Sequence, residues 1–141
     1  MNNSRALALL ALSTLLHDAI AQGPIPQNSA DLASSYVEAQ EFGRRDEKDP
    51  ATLEYHRSVL LPAFSASYRA NLRDCQASLP QPDPSPFSFV AAIDSQGNVL
   101  RLWSDRTPVV YSCLRGKMLF ERFPPPPHAP FYLYIHMRYA N

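Results

Sequence analysis

Apolar and polar residues alternate along two short segments in the last third of the chain. In FSFVAAID (87–94), one face carries Phe87, Phe89, Ala91 and Ile93, which is the two-residue period of a β-strand with one apolar face. The letters DSQGN (94–98) are turn formers, and VLRLWS (99–104) alternates again. Two such runs separated by a short turn predict an antiparallel hairpin.

A helix and a third strand are predicted to follow the hairpin. Thr107 and Pro108 open a helix from about 108 to 120 that covers the apolar side of the sheet, and FPPPP (123–127) ends it. The closing segment FYLYIHMRY (131–139) alternates once more. Its predicted core residues are Phe131, Leu133, Ile135, Met137 and Tyr139. This half of the chain therefore reads strand, strand, helix, strand.

Helical signals dominate the residues before the hairpin. We expect Ser29 to cap a helix over about 30–42, which Gly43 ends. The mixed charges of RRDEKD (44–49) indicate a solvated loop after it.

A longer helix is predicted next. Asp49 and Pro50 form a good helix start, and apolar residues then recur at three- and four-residue steps to about Ala77. Pro62 interrupts this pattern, because its ring clashes with the carbonyl four residues back and it offers no N–H. We expect either a kink near 59–61 or two shorter helices.

The pattern as a whole predicts one domain of the α+β class, residues 29–141. It consists of a helical part (29–78), an extended Pro-rich connector, LPQPDPSP (79–86), and a small antiparallel β-β-α-β sheet backed by one helix (87–141). The segment QGPIPQN (22–28) precedes it and is too rich in Pro and Gly for regular structure.

The first 21 residues have the features of a secretory signal peptide. Arg5 supplies a positive start, residues 6–16 an apolar core, and AIA (19–21) a small-x-small exit before Gln22. The apolar core is shorter than the roughly 20 residues that span a bilayer. We therefore expect a periplasmic or secreted mature protein; the alternative is a leader that remains as a membrane anchor.

The charge balance does not favour a charged partner. The chain has 13 basic and 13 acidic residues and a formal net charge of zero. A strongly basic composition would be expected of a protein that binds nucleic acid or an anionic membrane surface. We expect neither partner, and no stable membrane insertion once the leader is removed.

The two cysteines lie in the part expected to be exported. An even number in an oxidising compartment favours a Cys75–Cys113 disulfide. The alternative is a pair of buried free thiols that act as small apolar side chains.

No catalytic or metal-binding pattern stands out. The histidines are His17, His56, His128 and His136, and none has the spacing of a zinc site, which needs three or four ligands. Cys113 has no base placed beside it, and the carboxylates are scattered. We expect no cofactor, no metal and no enzymatic activity. The alternative is a small periplasmic enzyme or enzyme inhibitor that uses a polar cluster of His136, Arg138 and Glu121.

One face of the predicted sheet is a candidate protein-binding surface. Aromatic residues beside arginine are favoured at protein interfaces. If the last strand neighbours the hairpin, the residues that share this face are Arg101, Trp103, Tyr132, Tyr134, His136 and Arg138. The alternative is that the N-terminal helices pack on this face and bury it.

The last third of the chain resembles the C-terminal domain of TonB and its relatives. The resemblance rests on the hairpin with Gly97 and Val99, on the helix with Cys113 and Leu114, and on the Phe123-Pro sequence at its end. It implies a bacterial envelope protein that binds another protein and has no catalytic site.

Two features differ from TonB itself. TonB keeps an N-terminal membrane anchor, often with an important histidine, and has a long Pro-rich spacer. Here the leader looks cleavable, the surroundings of His17 do not match, and the Pro-rich connector is short. We therefore expect a binding module. An anchored, energy-transducing protein is the alternative if the leader is retained.

Overall fold

The computed structural model describes residues 32–79 and 85–138. Its elements are α1 (Tyr36–Lys48), a π-helical segment (Tyr55–Leu60) that continues into α2 (Leu61–Ala77), β1 (Phe87–Ile93), β2 (Val99–Ser104), α3 (Val109–Met118) and β3 (Phe131–Met137). This arrangement confirms the predicted α+β class and the β-β-α-β order. Ser29, the leader and most of the Pro-rich connector lie outside the described residues.

The three strands form one antiparallel sheet in the order β2-β1-β3. β1 is the central strand, with Phe89 opposite Ser104 on one side and opposite Ile135 on the other. The last strand thus pairs with the first strand of the hairpin. Both outer edges of the sheet belong to strands that have only one neighbour.

The hairpin turn depends on Asp94 and Gly97. The Asp94 carboxylate accepts hydrogen bonds from the backbone N–H groups of Gln96 and Asn98, each at 2.8 Å. Gly97 has a φ of +89°, which an L side chain rarely adopts, and a Cβ there would clash with the carbonyl of Phe123. The segment after α3 is therefore held tightly against the turn.

Helices cover both faces of the sheet. Side chains of α2 and α3, including Phe64, Tyr68 and Leu114, pack with Phe87 and Phe89 on one face. On the other face, Ala33, which precedes α1, and Ala39, which lies within it, pack with three sheet residues. These are Val90, Trp103 and Tyr132. The predicted covering helix thus shares its face with α2, and α1 covers the second face.

The predicted bounds of the first helix were wrong. Ser35 caps α1, and its side chain accepts a hydrogen bond from the backbone N–H of Glu38. The helix runs through Gly43 to Lys48, so the segment predicted as a solvated loop is helical. A contact between the helix and the sheet, described below, explains why glycine is tolerated inside it.

Pro62 is accommodated by a wider helical turn. The backbone N–H of Leu61 donates to the carbonyl of His56, five residues back, at the end of the π-helical segment and just before Pro62. A π-helical turn changes the carbonyl positions next to a proline ring that cannot fit a regular helix. The helix then continues to Ala77, where the sequence predicted that it would end.

A disulfide joins the helical part to the sheet part. Cys75 of α2 and Cys113 of α3 are bonded, with their Cα atoms 5.8 Å apart. This separation lies within the ordinary range for a disulfide and confirms the predicted pairing. Over residues 32–79 and 85–138, no helix has the length and apolar character needed to cross a bilayer.

Candidate functional site

The predicted protein-binding face lies largely under α1. Tyr132 and Trp103 are buried, at 2% and 6% exposure, and Tyr134 is half-buried. Arg101, His136 and Arg138 are exposed. Of the two arrangements considered for this face, the structure has the one in which an N-terminal helix packs on it and buries its aromatic centre. The reason is that α1 brings its own small and aromatic side chains onto that face.

Tyr132 is the centre of this covered face. Its ring lies 5.1 Å from the ring of Phe42 and 5.9 Å from that of Trp103. Its hydroxyl accepts a hydrogen bond of 3.0 Å from the backbone N–H of Ala33. Burial of the ring and satisfaction of the hydroxyl together make Tyr132 an anchor for α1 rather than a contact for a partner.

A polar cluster lies at one end of the same face. The Ser88 hydroxyl is 2.8 Å from Nδ1 of His136 and accepts a 3.4 Å hydrogen bond from the Tyr134 hydroxyl. From α1, the Gln40 amide donates to the Tyr36 hydroxyl at 3.1 Å. Hydrogen bonding, chiefly with Ser88, lowers the pKa of Tyr134, whereas burial raises the pKa of Tyr36.

This cluster resembles the serine–imidazole pair of acyl-transfer enzymes only in part. Ser88 is 4% exposed, so its hydroxyl is poorly placed to attack a bound substrate. The nearby carboxylate of Asp105 accepts from the backbone N–H of Ser88 at 2.9 Å. We interpret the cluster as a network that satisfies polar groups between α1 and the strand ends.

The outer edge of β3 is closed by α1. A Cβ at Gly43 would lie 2.9 Å from Cβ of Tyr134 and 3.2 Å from its backbone nitrogen, so the helix backbone touches the strand there. One turn later, the buried Asp46 carboxylate accepts a 2.8 Å hydrogen bond from the backbone N–H of Tyr132. His128 also approaches this carboxylate, with Nε2 at 3.6 Å. Covering an edge with a helix is one way in which proteins prevent unwanted strand pairing.

Over the described part of the chain, the outer edge of β2 is open along most of its length. The backbone N–H of Asp105 donates to the carbonyl of Ser88 on β1. Because inward and outward backbone groups alternate in an antiparallel ladder, those of Leu102 and Ser104 point away from β1. Within the described ranges, pairing on this outer side is confined to the bridge between Asn98 and Arg122, next to the turn.

The alternative polar cluster of His136, Arg138 and Glu121 is not formed. His136 pairs with Ser88 at the start of β1. Glu121 precedes Arg122, which pairs with Asn98 beyond the other end of that strand. About five residues of extended strand, roughly 17 Å, separate these positions. Residues 32–79 and 85–138 also contain no group of three His, Cys, Asp or Glu side chains that could hold a metal ion.

Sequence reasoning missed the residues that distinguish the two sheet edges. Gly43 had been interpreted as a helix end and Asp46 as part of a loop. The sequence did contain one signal. Steps of four and three residues connect Tyr36, Gln40, Gly43 and Asp46, and this spacing is that of one helix face. The spacing of these residues could not show that this helix face meets the edge of β3.

Comparison with protein-family models, with curated proteins and with solved structures finds no match for this chain.

Proposed function

We propose that this protein is an exported, non-catalytic module of the bacterial envelope that binds another protein by adding a strand of that partner to its sheet. The observation that carries the proposal is the open outer edge of β2. An extended peptide can pair with such an edge through main-chain hydrogen bonds, while pockets for its side chains supply specificity.

Two other modes of binding have less support. The sheet face is occupied by α1, with Tyr132 and Trp103 buried beneath it. The edge of β3 has Gly43 against its backbone and Asp46 bonded to the N–H of Tyr132. Neither surface can receive a partner strand unless α1 moves away, whereas α1 does not cover the outer edge of β2 in this way.

The surroundings of β2 make it a suitable receiving strand. Leu102 and Trp103 anchor it in the two apolar cores, one on each face of the sheet, and are buried at 6% exposure each. A strand fixed in this way loses little conformational freedom when a partner pairs with it, and this reduces the entropic cost of binding. The outward backbone groups of Leu102 and Ser104 supply the first hydrogen bonds.

The export part of the proposal is supported by the disulfide and by the leader sequence. Disulfides form and persist mainly in oxidising compartments. The TonB-like order of elements agrees with an envelope location and a binding role. The mass of the native protein will separate a mature chain beginning at Gln22 from a chain that retains Met1 as part of an anchor.

The test is site-specific photo-cross-linking in the native cell. A photoreactive amino acid at Leu100, on β2, is compared with the same amino acid at Val59, in the π-helical segment. The two side chains have matched exposures of 42% and 40%. We expect a specific cross-linked protein from position 100 and none from position 59. Equal cross-linking at both positions, or none at position 100, would contradict the proposal.

A further inference from the structure

The acidic side chains around the sheet are engaged by internal hydrogen bonds. Asp94 accepts from the hairpin turn, and these bonds lower the pKa of its carboxyl against the opposing effect of burial. Asp105 accepts from the backbone N–H of Ser88. The Glu121 carboxylate accepts a 2.9 Å hydrogen bond from the Asn71 amide on α2. These are the three acidic residues in 85–138.

Exposed arginines, by contrast, border the open edge. Arg101 lies on β2 itself, with its guanidinium carbon 5.1 Å from the centre of the Trp103 ring. Arg122 lies beside the start of β2, where its Nε donates to the carbonyl of Gln96 at 3.1 Å. Each guanidinium has five N–H donors, so one ring contact or one hydrogen bond leaves several donors for a ligand.

The position of Arg101 decides how it would meet an added strand. Its backbone groups face β1, in a hydrogen-bonded pair with Ala92. It therefore occupies a non-hydrogen-bonded position with respect to a strand added outside β2. Side chains that face each other at such positions are the closest cross-strand neighbours, and opposite charges there attract.

We infer that the segment received by β2 is an extended, acidic segment of a partner protein, with a carboxylate side chain opposite Arg101. This inference rests on the proposed function, because it specifies the chemistry of the strand that the open edge receives. Apolar contacts would come from Leu100 and from Phe120, which is 91% exposed two residues before Arg122.

A second copy of the chain fits this edge less well. Pairing of two β2 strands about a two-fold axis would bring the Arg101 and Arg122 side chains of both copies onto one narrow rim. Like charges close together across strands are destabilising, and charged edge residues are a common means of preventing self-association. An acidic partner relieves this repulsion instead of increasing it.

The test uses three synthetic heptapeptides of alternating threonine and valine, with two positions occupied by glutamate, lysine or glutamine. Each is titrated into the purified, oxidised protein, and the backbone amide signals of Leu102 and Ser104 are followed by NMR. We expect the glutamate peptide to shift these signals and to bind at least about fivefold more tightly than the lysine peptide, since cross-strand charge pairs contribute up to about 1 kcal/mol each.

Two variants complete the design. Arg101→Gln should reduce the preference for glutamate over glutamine to less than about twofold, whereas Arg69→Gln, at an exposed position on α2, should leave it unchanged. Thermal unfolding of both variants confirms that they fold.

The outcomes separate the inference from the proposed function. If all three peptides shift the β2 amides equally, strand addition stands and the acidic preference is overturned. If no peptide binds but the protein dimerises with its β2 amides protected, the occupant is a second copy and the inference is overturned. If no peptide binds and β2 remains exposed, the inference is also overturned, and the proposed function then depends on the cross-linking result at Leu100.

Discussion

At the scale of single residues, Gly43 is a helical position where the fold depends on the absence of a side chain. The helix backbone approaches Tyr134 so closely that a Cβ would lie 2.9 Å from the Cβ of that residue. Gly116 has the opposite surroundings, because nothing lies within 4 Å of a Cβ built there. Both glycines are inside helices, so they form a natural pair for comparison.

We predict that alanine has opposite effects at these two positions. Gly43→Ala should lower the free energy of unfolding by about 1–3 kcal/mol, because the added methyl group forces α1 away from β3. Gly116→Ala should raise it by about 0.5–1 kcal/mol, because alanine is the better helix former. Urea unfolding of the oxidised proteins measures both changes. A Gly43→Ala variant as stable as Gly116→Ala would show that α1 does not touch the strand.

Gly43 also shows what the sequence could not reveal at this scale. Glycine after an apolar helical run is a common helix end, and local propensity favoured that interpretation. The close approach of the helix to β3 makes glycine useful inside α1 instead. Only the tertiary contact distinguishes the two roles, and the sequence contains no information on which strand lies nearby.

At the scale of elements, α1 controls access to the edge of β3. Its N-cap is Ser35, whose hydroxyl accepts from Glu38 N–H at 3.2 Å. The helix then reaches the strand through Gly43 and Asp46. Loosening α1 should therefore expose backbone groups of β3 while the hydrogen bonds between β1 and β2 persist.

We predict that Ser35→Ala increases local opening at this edge. Loss of an N-cap costs about 0.5–2 kcal/mol of helix stability. Hydrogen exchange at the Tyr132 and Tyr134 amides should therefore accelerate, while exchange at Val90, in the central strand, changes little. Ser112→Ala, at an exposed position on α3, is the matched control and should leave the β3 amides unaffected. Equal acceleration at Val90 would show global unfolding and contradict a local role for α1.

The elements themselves were more predictable than their arrangement. Large apolar residues at every second position in 87–93 and 131–137 predicted two strands, because successive side chains of a strand point to opposite faces. The burial of β1 on both faces is a result of helices packing on each side of the sheet. Pro62 correctly indicated an irregular helix, since proline cannot fit a regular turn. The sequence did not determine the order β2-β1-β3, nor did it decide whether the second face is open or covered by the N-terminal helices, because both depend on contacts between segments distant in sequence.

At the scale of the whole molecule, the Cys75–Cys113 disulfide connects the helical part to the sheet part. It joins α2 to α3 across a separation of 38 residues. Both helices pack on the same face of the sheet, so the bond fixes the larger of the two cores.

We predict that removal of this bond lowers the free energy of unfolding by about 3–4 kcal/mol, because a closed loop of this length restricts the unfolded chain. Urea unfolding of the double variant Cys75→Ala/Cys113→Ala, compared with the oxidised protein, measures the change. Wild-type protein treated with reductant is the control, and it should lose a similar amount. Unaltered stability in both samples would argue that the bond adds nothing to the fold.

The unequal edges of the sheet also limit stoichiometry. Head-to-tail growth into a filament requires two complementary free edges on every subunit, whereas residues 32–79 and 85–138 leave one. Under the proposed strand addition, each copy would accept a single guest strand, and growth would stop at a one-to-one complex. The helix that covers β3 would thus set the stoichiometry of the complex as well as protect that edge.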